Sequence, residues 1–207
     1  MSKLKRWITI WTEPKATISE IVAENPKQAL WWLSAILGFN NLMGGFQSVM
    51  LGMHINAFAL ILLALIIAPF WGYVSISVWG WIVSFTGKWI RGSGSFQEVR
   101  AAYAWSNVPM IVTIPLWFLL AVVFGPVLFS GVDEHALLST YGAPLLYSVL
   151  MIRLAAGIWS IVIFINALAA VQKFSILRAI GNVLLAALIV LIVIFIGSYL
   201  LMRIANH

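Results

Sequence analysis

Five apolar segments, at about 29–50, 57–85, 101–129, 147–171 and 176–202, leave this chain few folds to choose from. The hydrocarbon core of a bilayer is about 30 Å thick and takes about 20 apolar residues of helix to cross. Inside it every backbone N–H and C=O needs a partner, and a helix supplies those partners from its own segment. The pattern predicts an all-α integral membrane protein with five transmembrane helices in one bundle. Composition agrees: 63% of residues are hydrophobic and only 9% charged, against about 25% charged in a soluble domain. Residues 1–27 are then a short cytoplasmic, amphipathic N-terminal segment, and residues 28–207 the membrane domain. A cleavable signal peptide is not expected, because Glu13, Lys15, Glu20 and Glu24 interrupt the apolar run that would follow the basic start. The absence of cysteine excludes disulfides, thiolate metal ligands and a cysteine nucleophile.

One well-charged stretch interrupts the apolar segments, Gly87 to Pro109, reading GKWIRGSGSFQEVRAAYAWSNVP. Gly92-Ser93-Gly94 allows a tight turn through positive φ. Ser95 and Glu98 then have the spacing of a capping box, each side chain satisfying a free N–H at a helix start. The basic residues fix the orientation. Lys3, Lys5, Arg6, Lys15, Lys27, Lys88, Arg91, Arg100, Lys173 and Arg178 fall on one side of the five spans, Arg203 on the other, and Arg153 near or inside the bilayer. Basic residues stay in the cytoplasm, so the N-terminus is expected inside and the C-terminus outside. The same bias accounts for the net charge of +6 without any nucleic-acid partner.

Along the chain, Leu4, Trp7, Ile8 and Trp11 follow helical spacing, with Lys3, Lys5 and Arg6 off the stripe. This is the pattern of a helix lying flat on a membrane surface, Trp7 and Trp11 towards lipid; a loose tail is the alternative. Pro14 starts a second short helix with Ile18, Ile21 and Val22 as its apolar side. Asn25-Pro26 reads as the cap and first residue of the next helix. Within the spans, Gly44-Gly45 marks a break and Pro69 a kink, and Ser77, Gly80 and Ser84 allow close helix contact. Asn107 is placed to satisfy a carbonyl freed by Pro109.

Two stretches resemble Yip1-domain proteins. WTEPKATISEIVAENPKQAL is similar to the family's pre-membrane segment, and GKWIRGSGSFQEVRAAYAWSNVP to its glycine, small-residue and Phe stretch followed by Tyr-Ala and Pro. The resemblance implies five spans with a cytoplasmic N-terminus. Eukaryotic members are Golgi and endoplasmic-reticulum proteins that associate with Rab GTPases. Their long N-terminal region and its Asp-Leu-Tyr-Gly-Pro motif have no counterpart here, and the compact form is more like prokaryotic members, implying a bacterial inner membrane.

Four sets of side chains are candidates for function. Lys88, Arg91 and Arg100, with Trp7 and Trp11, form a face for anionic headgroups or a protein partner, each basic residue worth about 1 kcal/mol near such a surface. Asn40, Asn41, Gln47, Asn107 and Asn166 either line a polar path or bond helices together. Arg153 is either a paired intramembrane charge or a side chain reaching the outer headgroups. His54, His135, Asp133 and Glu134, with His207, share the outer side and have donor types suited to a transition metal, without short ligand spacing. No protease motif or HExxH appears, Gly92 and Gly94 lack the Walker pattern, and Glu98 serves as a cap. The expectation is a non-catalytic membrane-organising or adaptor protein without a cofactor, whose partners are anionic lipid and either another protein or a second copy. The alternative is a transporter or channel for a small solute, metal ion or lipid.

Overall fold

A computed structural model describes residues 3–130 and 142–205. These residues form helices α1 (Lys3–Thr9), α2 (Pro14–Glu24), α3 (Leu30–Ser48), α4 (Ala57–Trp89), α5 (Phe96–Ser106), α6 (Thr113–Phe124), α7 (Val127–Ser130), α8 (Gly142–Gln172) and α9 (Ile176–Ala205), with 3-10 turns at Leu51–Met53 and Val108–Val112. Four stretches are long and apolar enough to cross a membrane: Ala57–Trp89, Phe96–Phe124, Gly142–Gln172 and Ile176–Ile204. The first of the five expected spans is not among them. Its helix, α3, has 19 residues, about 28 Å at 1.5 Å per residue, but Asn40, Asn41 and Gln47 lower its hydropathy.

Helices α3 and α4 pack as an antiparallel hairpin whose backbones touch. Ser34 and Gly38 on α3 face Ala68 and Gly72 on α4, small residues four apart on both helices. A methyl at Gly38 would lie 1.9 Å from the Ala68 carbonyl oxygen, and one at Gly72 1.8 Å from that of Ser34. Gly44 and Gly45 do not break α3, which continues to Ser48, and a methyl at either would meet nothing within 4 Å. Pro69 likewise lies inside an unbroken α4. Asn56 caps α4 by accepting from the Phe58 N–H at 2.8 Å.

The third expected span is built from pieces. Its start is the expected capping box, with the Ser95 N–H donating to Glu98 Oε2 at 2.7 Å and the Glu98 N–H to Ser95 Oγ at 3.3 Å. Helix α5 then stops at Ser106, and Pro109, lacking an N–H, sits in a 3-10 turn before α6. The Asn107 amide donates to the Tyr103 carbonyl at 2.6 Å, not to the Trp105 carbonyl that Pro109 leaves without its i−4 donor, so the bond closes the end of α5 rather than making the repair expected beside that proline. Gly125, at φ 55°, ends α6 and separates it from α7.

The N-terminal helices dock into the bundle. Ile10, Ile18 and Ile21 are fully buried in one core with Leu33, Val99, Trp105, Ile163 and Ala167. A second core, nearer the Leu51–Met53 turn, holds Phe39, Met43, Leu60, Ala64, Trp117 and Phe129. Asn25 is the C-cap of α2, not the N-cap of the next helix, and a turn through residues 26–29 delays α3 to Leu30. Helix α9 keeps Leu188, Leu191, Val193, Phe195 and Leu201 exposed, the surface of a helix solvated by lipid.

Candidate functional site: the basic end of the bundle

The loop between α4 and α5 closes over the end of α8. Gln172, only 1% exposed, accepts from the Gly94 N–H at its Oε1 (3.0 Å) and from the Ser93 N–H at its backbone oxygen (3.3 Å). The loop glycines serve space rather than backbone freedom: positive φ falls on Arg91 (65°), while a methyl at Gly92 would lie 2.3 Å from Gln172 Oε1. The tight turn through positive φ expected of Gly92-Ser93-Gly94 is taken at Arg91 instead, and the loop acts as a clasp. Beneath it the Thr86 hydroxyl donates to Asn182 Oδ1 at 2.7 Å, and the Asn182 amide donates to the Val83 carbonyl at 3.1 Å, joining α4 to α9. Lys88, Arg91, Lys173 and Arg178 are all exposed around this clasp. Trp81, Phe85 and Trp89 form an exposed aromatic row on α4, with ring centroids 5.6 and 5.1 Å apart. Aromatic rings beside basic residues are typical of the headgroup level.

Arg100 leaves this face. It is 6% exposed, packed across Gly80 of α4, and donates to the Tyr73 hydroxyl at 3.2 Å. Its guanidinium carbon lies 5.1 Å from the Phe96 ring centre and 5.5 Å from that of Tyr73. It therefore does not join Lys88 and Arg91 on the outside.

Arg6 is also buried, against expectation. At 1% exposed it reaches Glu20 at 3.0 Å and bonds Glu24 and Gln28. The hydrogen bond from Arg6 holds the Glu24 carboxyl below its ordinary range, with Lys3 assisting through its charge, and Glu24 in turn raises Arg6. The apolar stripe of α1 is accordingly divided. Trp7 and Trp11 pack towards the core, Trp7 with its ring centre 5.1 Å from that of Trp105, while Leu4 and Ile8 are exposed.

The polar residues of the spans do not meet in one cavity. Asn40 is a joint: its Oδ1 accepts from Thr113 and from Trp117 Nε1 (3.3 Å), and its amide donates to the Ile36 carbonyl at 2.9 Å. Gln47 donates to the Leu128 carbonyl (3.2 Å) and Asn166 to the Val162 carbonyl (2.9 Å), while Asn41 is exposed. Asn107 lines a cavity of about 240 Å³ with Tyr103 and Ser160. Arg153 lines another with Gln47, its guanidinium carbon 4.2 Å from the Trp117 ring centre. His54 is exposed after the Leu51–Met53 turn; Asp133, Glu134, His135 and His207 lie outside the described residues. Among the described residues no three His, Cys, Asp or Glu side chains gather as metal ligands would.

Gln172, Asn182, Arg6 and Tyr73 were not singled out from sequence as site residues. Gln172 and Arg6 sit near helix ends, where a polar residue looks solvated until its neighbours are known, whereas Tyr73 lies in the middle of α4 and Asn182 in the second turn of α9, where only the facing helix reveals a partner.

An all-helical bundle with four stretches long and apolar enough to cross a membrane defines a multi-pass membrane protein. The sequence model of the Yip1 domain matches residues 8–198, and the chain belongs to that family, whose members are generally non-catalytic membrane-trafficking proteins. No curated protein and no solved structure matches it.

Proposed function

We propose that this Yip1-domain protein organises membrane components, gathering anionic lipids and a protein partner at its basic end. The observation that supports this reading is the clasp: Lys88, Arg91 and Lys173 are exposed on a loop and helix end fastened through buried Gln172. A fixed cluster of cations attracts anionic headgroups without losing loop entropy on binding. In this reading α3 crosses the membrane as a fifth span, with Asn40 and Gln47 bonded to other helices, and the basic end faces the cytoplasm of a bacterial inner membrane.

Native mass spectrometry of the protein extracted with its own lipids tests the proposal. Anionic lipid or a protein should leave the membrane bound to the wild type and be depleted in the variant carrying Lys88→Glu and Arg91→Glu, with the fold intact by circular dichroism. An identical set of bound species in both would refute it. A transported solute is not favoured, because Asn40, Gln47, Asn107 and Asn166 bond neighbouring carbonyls and a hydroxyl rather than sharing one cavity.

A further inference from the structure

A recess of about 520 Å³ opens beside the start of α3, lined by Lys27, Leu30, Trp31, Trp32, Tyr73 and Arg100. Its donors converge. Helix α3 starts after Ala29, which is left-handed at φ 55° and gives no side-chain cap; the Leu30 N–H donates to the Lys27 carbonyl at 3.2 Å, which leaves the Trp31 and Trp32 N–H groups of the first turn for an acceptor. Arg100, more than nine-tenths buried, has a buried Nε without a hydrogen-bond partner among the described residues. No ion pair to Arg100 occurs there either, and the lining carries no carboxylate. The Tyr73 hydroxyl accepts from Arg100 and keeps its own proton to donate. Lys27 adds a cation at the rim. A buried guanidinium, a hydroxyl, an ammonium and an uncapped helix start around one space suit an oxyanion with several acceptors.

We infer that this recess binds a phosphate group. It goes beyond the exposed Lys88 and Arg91 face, since it is a built pocket rather than a charged surface. Trp32 also lines an apolar groove of about 620 Å³ with Leu4, Phe39 and Leu65. A phosphate carried on an acyl lipid would find headgroup and chain surfaces side by side; a soluble phosphate would use the recess alone.

The test uses the full chain in an uncharged detergent, titrated with dioctanoyl phosphatidic acid, inorganic phosphate or dioctanoylglycerol, reading thermal stabilisation and bound mass. Stabilisation by the first but not the third, weakened about tenfold by Arg100→Gln as expected for one lost charge-assisted bond, supports the site and a lipid source. Equal action of inorganic phosphate assigns it to a soluble phosphate. Because Arg100→Gln can disturb folding, Lys27→Gln at the exposed rim and Tyr73→Phe are measured beside it, and both should weaken binding. Retention of the phosphate-dependent shift in all three variants, or no shift in the wild type, overturns the inference. Lys88→Glu with Arg91→Glu should leave this shift in place, which separates the pocket from the surface reading.

Discussion

Gly92, Gly38 and Gly72 show what single residues decide here. Each lacks a side chain because a neighbour occupies the space, Gln172 in the first case and a facing helix backbone in the others. Gly38→Ala and Gly72→Ala should each destabilise the bundle by about 1–3 kcal/mol, the usual effect of forcing extra volume into a packed contact. Gly44→Ala, with open space around it, should instead stabilise by about 0.5–1 kcal/mol through helix propensity. Thermal or denaturant unfolding in micelles checks this, and equal effects at all three positions would contradict the packing described. In the sequence, Gly44-Gly45 reads as a break and Gly92-Ser93-Gly94 as a tight turn through positive φ. Glycine alone does not reveal whether it serves φ or volume; that depends on what stands opposite. Gln172 illustrates the same limit, because its role appears only when a loop distant in sequence folds over it.

At the scale of elements, apolar length made α4, α8 and α9 legible, and the capping box placed the start of α5. The split after Ser106 was foreshadowed by Pro109, but the stepwise α5–turn–α6 path depends on Asn40 receiving Thr113 and Trp117. The N-terminal segment was less legible. Periodicity found its apolar stripe, yet Arg6 pairs with Glu20 and Glu24 on α2 and turns α1 so that the stripe is shared between core and surface. That pairing makes α1 docking sensitive to acid. A carboxyl with a folded pKa below its unfolded one stabilises while ionised, so the contribution of Glu24 stands at neutral pH and is lost as pH falls through its depressed value. Hydrogen exchange in α1, corrected for intrinsic rates, should rise as pH drops below the ordinary carboxylate range. In Glu24→Gln it should be raised at neutral pH and change less with acid. A wild-type profile flat across that range would contradict the role of the cluster.

For the whole molecule, the working claim is that the basic end faces the cytoplasm, five spans deep, while the opposite end carries His54. The charge bias was readable in the sequence because basic residues stay where they are synthesised. The proposed crossing by α3 is the part that apolar length alone does not carry, since its amides keep it out of the four stretches apolar enough to cross, although Asn40 is sheltered at 7% exposed. Thiol labelling decides the matter on a chain with no native cysteine. Lys15→Cys, His54→Cys and Ser93→Cys, all exposed positions, are treated with a membrane-impermeant maleimide in right-side-out and inverted vesicles. The account predicts that Lys15→Cys and Ser93→Cys label only in inverted vesicles and His54→Cys only in right-side-out ones. Labelling of Lys15→Cys and His54→Cys from the same side would mean that α3 does not cross, and labelling of Ser93→Cys from outside would place the basic end away from the cytoplasm.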